Sequence, residues 1–240
     1  MKNIQQVLEE LDEIIDNSTR QQCAHGFFAT LYRQVTADVA EGIEKGIFED
    51  NERMERLDVL FAQRYLDAFS AYSAGSGTTR SWAVSFRANE RRRSIILQYL
   101  LLGINAHINL DLGIAASETM GGGDLQDLHG DFKKINELLA ARVDESQDKI
   151  SRRSWLFGRI DKWFKNSDEM LANFSIGLAR DGAWAFAREY HAAADREALL
   201  LERDEKIARL GERIEVPGRR LRWFLELVRW IENQRMPWND

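Results

Sequence analysis

Between Leu100 and Ile114 the chain runs almost without interruption through apolar residues, yet it carries Asn105, His107, Asn109 and Asp111 within seven positions. A stretch this apolar belongs at the centre of a fold. Each polar group buried there needs a partner or costs about 1–3 kcal/mol. The segment therefore fixes what the rest of the chain must do: surround it, and satisfy four side chains in its interior.

The rest of the sequence is suited to do so with helices. The only prolines are Pro217 and Pro237, so almost the whole length is free of the residue that most strongly breaks a helix. Strand-like alternation is absent. The expected fold is all-α, a single-domain multi-helix bundle spanning residues 1–240 around a central apolar helix at about 95–116. Apolar residues at 44% and charged residues at 30% are the balance of a globular protein. Asn105, His107 and Asp111 follow the run at 95–102 too soon for a membrane span, so no transmembrane segment is expected. The first ten residues lack the basic start and apolar core of a signal peptide. The single Cys23 excludes an internal disulfide, and the expected location is cytoplasmic. A net charge of −6 argues against nucleic acid as a partner; a small molecule or a homo-oligomeric contact is compatible with it.

Periodicity places helices at about 4–15, 20–45, 51–73 and 80–116, the last with a break near Ala88-Asn89. Asn17-Ser18-Thr19 reads as a stop and Asp50 as an N-cap. The triple glycine at 121–123, followed by Asp124, opens a helix at about 125–148. Further helices are expected at about 154–165, 168–180, 182–213 and 219–234.

On the central helix, at about 100° per residue, His107 and Asp111 share one face. Asn105 and Asn109 form a second i,i+4 pair roughly 160° away. His107 and Asp111 are suited to hold one divalent metal ion such as zinc, iron or manganese. Equally, the carboxylate can orient the imidazole as a general base. The alternative is structural, with the tetrad tying neighbouring helices together as a hydrogen-bond hub.

Several segments resemble the bacterial DUF5995 family. They are Phe28-Ala-Thr-Leu-Tyr-Arg-Gln-Val-Thr36, Gly46-Ile-Phe-Glu-Asp50 with Leu57-Asp-Val-Leu-Phe-Ala-Gln-Arg-Tyr-Leu-Asp-Ala68, Asn105-Ala-His-Ile-Asn-Leu-Asp-Leu112, and Asp131-Phe-Lys-Lys-Ile-Asn-Glu-Leu138. The family-like part covers about residues 20–150, with the helices at about 154–234 packing on it. The resemblance implies an all-helical fold and leaves the activity open. It singles out Asp131 as the carboxylate expected beside His107 and Asp111, both as catalytic group and as metal ligand.

Asp124 and Asp127 fit helix-dipole complements better than ligands. A surface ion pair is the commoner expectation for Arg64, which is otherwise placed to pair with Asp111 or to hold a substrate carboxylate. Asn136 reads as a structural bridge to Asn109 or to a backbone carbonyl, and His191 as a helix-surface histidine. The Trp residues at 155, 163, 184, 223 and 230 read as packing. No phosphate-cradling glycine loop, Cys-x-x-Cys pair or nucleophile elbow occurs, so no nucleotide cofactor is supported.

Two functions follow. In one, the chain is a hydrolase or proton-transfer enzyme acting on a small molecule. His107, Asp111 and Asp131 are then catalytic or metal-binding, and Asn105, Asn109 and Arg64 hold the substrate. In the other, it is a non-catalytic helical protein whose tetrad is structural and which works by binding a partner.

Overall fold

The computed structural model describes residues 2–91, 93–135, 176–216 and 225–230, and among them every regular element is helical. Helix α1 spans Ile4–Arg20, α2 His25–Glu44, α3 Asn51–Ser73 and α4 Arg80–Arg91. The central element is one continuous helix, Ile96–Met120. It is built from α5 (Ile96–Ala106), a π-helical turn (His107–Asp111) and α6 (Leu112–Met120). A 3₁₀ turn at Leu125–Leu128 leads into helix at 129–135. Helices α7 (Ile176–Ala192) and α8 (Arg196–Glu215) follow, and 225–230 is again helical. The helix expected at about 154–165, residues 168–175 of the one expected at about 168–180, and residues Asn136, Trp155, Trp163 and Trp223 lie outside the described residues.

Helix α3 forms where capping predicts it, with the Asp50 side chain accepting from Arg53 N–H at its start. Four boundaries differ from expectation. Asn17-Ser18-Thr19 does not stop α1: the Thr19 hydroxyl donates back to the Ile15 carbonyl, and Ser18 is buried beneath Gly26. The chain turns instead at 21–24, through Gln22 at φ +52°. The break after α4 falls beyond Arg91 rather than at Ala88-Asn89, because the Asn89 side chain donates to His25 Nδ1 (3.1 Å) and does not compete for backbone. The helix expected at 182–213 is two helices, and the break expected before it at about Asp181 is absent, since α7 runs unbroken from Ile176 to Ala192. Asp195 divides α7 from α8, its carboxylate accepting from Ala198 N–H to start α8.

The principal core joins side chains from α1, α2, α3, α4, the central helix, the 125–135 segment and α7. Two close approaches set its geometry. Phe28 lies directly on Gly103, where a methyl group would run into its ring, so α2 can cross α5 at short range. Gly113 does the same for α7, since a Cβ there would sit 2.7 Å from Phe186 Cδ1. A smaller cluster of Val84, Ala88, Leu102, Ala208 and Ile214 binds α8 to α4 and α5. Helix α8 also begins α4: Asp204 accepts from the N–H groups of Arg80 (2.7 Å) and Ser81 (2.9 Å), a cap supplied from a distant part of the chain.

The central helix is long and apolar enough by composition to cross a membrane, but 78% of its most apolar window is buried by the other helices. That is the position of a core helix.

Candidate functional site

Asp111 is the centre of the buried polar network. The π-helical turn widens the helix locally, a feature often found where a helix carries a site. It presents the carboxylate to α3 and α4. Oδ1 accepts from Arg64 Nε at 3.0 Å, and Oδ2 accepts from Trp82 Nε1 at 2.8 Å. Oδ2 is also 3.2 Å from His107 Nδ1. The carboxylate is 1% exposed and receives three donors from three elements. The two Asp111 oxygens already accept from Arg64 and Trp82, so at the contact with His107 Nδ1 is the donor nitrogen.

The imidazole is 2% exposed. Phe61 stacks on one face with ring centroids 3.6 Å apart, and Tyr32 meets it edge-on at 4.4 Å. Phe28, Trp82 and Tyr65 complete the surround at 5.7–6.2 Å. Burial holds the His107 pKa below its ordinary value, partly offset by the bond to Asp111. The ring is therefore neutral, and its Nε2 lone pair is buried without a hydrogen-bond partner. Phe61, Arg64 and Tyr65 come from successive positions of one α3 face, and Phe28 and Tyr32 from one face of α2.

A cleft of about 250 Å³ reaches this network from outside, lined by Arg64, Asp67, Thr78, Thr79, Trp82 and Asp111. It touches the carboxylate and two of its donors, Arg64 and Trp82. His107 is not among its lining residues.

Beyond this pair the expected site residues divide. Asn105 and Asn109 point the other way, towards α8: Asn109 Nδ2 donates to Asn105 Oδ1, and Asn105 Nδ2 to the Ile207 carbonyl, both at 3.0 Å. Arg64 pairs with buried Asp111, not in the surface ion pair that was the commoner expectation. Asp131, expected beside His107, ties a different junction. It accepts from Glu49 N–H (2.7 Å), Asp50 N–H (3.2 Å) and Arg53 Nη2 (2.9 Å), fastening the 129–135 helix to the turn before α3. Along the chain Asp131 is near the hallmark segment, but spacing alone does not say which neighbour a residue faces. Among the described residues no group of three or more His, Cys, Asp and Glu side chains is arranged to hold a metal ion.

Other histidines also have assigned places. His191 is no bare surface group: Nε2 donates to the Gly123 carbonyl and Nδ1 accepts from Ser117 Oγ, each at 3.1 Å, tying the glycine loop to α7. His129 stacks on Trp184 at 4.6 Å. The sequence did not assign Trp82, whose signal was only an aromatic at a helical spacing, and it placed Tyr32 in the segment at 28–36 without giving it a place beside His107.

Fold and site together define an all-α bundle organised on a buried carboxylate. The family model of DUF5995, described as a family of unknown function, matches residues 4–217. The chain belongs to that family, and the match extends on both sides of the motifs at 28–139. No curated protein and no solved structure matches the chain.

Proposed function

We propose that the chain is a non-catalytic helical protein that works by binding, and that the Asp111 network holds its helices in place. The observation that carries this reading is the enclosure of His107, stacked on Phe61 at 3.6 Å with its remaining nitrogen sealed among aromatic rings. A general base must come within hydrogen-bond reach of a substrate proton, and the cleft that reaches Asp111 is not lined by His107. Asp111 already takes three donors, so a metal ion there would have to displace Arg64, Trp82 or His107. Asp131 is engaged elsewhere, which leaves such an ion two protein ligands where structural and catalytic sites use three or four.

One observation favours a second reading, a small-molecule site. The cleft at Arg64, Thr78 and Thr79 ends on the Asp111 carboxylate. There Arg64 would hold a polar substrate, and the His107–Asp111 pair would act in hydrolysis or proton transfer after Phe61 moves.

The two readings part on His107→Ala. The structural reading expects a loss of about 2–4 kcal/mol in urea unfolding, because the ring's packing and its bond to Asp111 are both removed. It also expects no stoichiometric zinc, iron or manganese by elemental analysis of purified protein. A variant as stable as the parent, or a bound metal that His107→Ala releases, contradicts it.

A further inference from the structure

Where α8 crosses the π-helical turn, a cavity of about 690 Å³ lies open between them. Its volume is that of a small-ligand pocket. Among the described residues that line it, four are cations, Arg203, Lys206, Arg209 and Arg213, against two anions, Glu202 and Glu205. Glu205 is already taken by Arg80 and Arg209. Among the described residues Lys206 and Arg213 form no ion pair. A concave, net-positive lining on a chain of net charge −6 is a local reversal of sign.

A row of cations on a helix is usually a solvated face, and two features set this one apart. Arg203 is drawn into the fold. It lies over the Phe186 ring at 4.9 Å, with Nε donating to the Asn109 carbonyl and Nη2 to the Gly182 carbonyl. Those bonds are to neutral carbonyls and fix the guanidinium in the cavity wall, with Glu189 the anion that acts on its charge. Asn109, almost fully buried, forms part of the same wall. Its amide N–H groups face Asn105, so the amide oxygen is the acceptor it offers.

We propose that this cavity binds a small molecule bearing an oxyanion, a phosphate or a carboxylate, together with a hydroxyl or amine. The anion is held by Arg203, Lys206 and Arg213, and the hydroxyl or amine donates to Asn109. The proposal goes beyond the reading of the Asp111 network and shares none of its side chains.

The test uses the full chain and the double variant Lys206→Ala/Arg213→Ala. Both residues are exposed, so the variant keeps the fold. Inorganic phosphate and succinate are titrated separately at constant ionic strength set with chloride, reading the thermal midpoint and binding heat. The expected result is a saturable response to at least one oxyanion beyond that of chloride. Its affinity should fall by about tenfold or more in the double variant. A response to phosphate alone assigns a phosphate-bearing ligand, to succinate alone a carboxylate-bearing one, and to both a site that does not discriminate. A response no larger than chloride gives, or one unchanged in the double variant, overturns the proposal. Either failure leaves the account of Asp111 standing.

Discussion

Burying His107 and Asp58 makes stability depend on pH in opposite directions. The His107 ring is neutral in the fold because burial lowers its pKa. As pH falls below about 6.5 the unfolded chain takes up a proton that the folded chain does not. The stability His107 contributes is therefore present above that pH and lost below it. Asp58, buried on α3 near Tyr32, is the reverse case. Burial, with Glu55 nearby, pushes its carboxyl up to about 8. The folded chain then holds a proton that the unfolded chain releases, so stability is full in acid and declines as pH rises from about 4 to about 8. Urea unfolding of Asp58→Asn across pH 5–8 should show a flatter decline towards pH 8 than the parent. An unchanged slope would mean that Asp58 is ionised in the fold. The burial of His107 was expected from the apolar run around it, but that of Asp58 was not. Asp58 sits in an ordinary amphipathic pattern, and only the crossing of α2 over α3 reveals its enclosure.

At the level of elements, legibility followed local signals. Helix α3 was readable to the residue because Gly46, Asp50 and the glycines at 75 and 77 punctuate it. The division of α7 from α8 was not, since Ala192, Ala193 and Ala194 favour helix and Asp195 alone marks the start. The π-helical turn was invisible as well. A one-residue widening leaves no trace in composition, yet it helps determine which way Asp111 points. Close helix crossings, by contrast, leave a testable mark. Gly103→Ala should cost about 1–3 kcal/mol, because the added methyl displaces Phe28 from α5 and disturbs the ring cage around His107. Gly122→Ala meets no neighbouring atom within 4 Å and should stay within about 0.5 kcal/mol of the parent. Equal costs for the two substitutions would refute the steric argument.

Over the whole molecule, the central helix divides its polar residues between two sides. Asn105 and Asn109 face α8, while His107 and Asp111 face α2, α3 and α4. The sequence supplied the four residues and the angle between the pairs, but not their partners, because partners come from elements as far as 102 residues away. The two sides are nevertheless linked. Asp204 of α8 caps α4 at Arg80 and Ser81, and the next residue, Trp82, donates to Asp111. Asp204→Ala should therefore lower stability by about 1–2 kcal/mol. In a double-mutant cycle with Trp82→Phe it should show coupling of at least about 0.5 kcal/mol. Additive effects would mean that the cap and the carboxylate network act separately.

The most direct measurement is the urea unfolding free energy of Asp111→Ala at pH 7. Removing the carboxylate leaves Trp82 and His107 without their acceptor and Arg64 with only Glu118, 4.0 Å away, and the account predicts a loss of about 3–5 kcal/mol. A variant within about 0.5 kcal/mol of the parent would contradict it, because the bundle would then stand without the residue said to organise it.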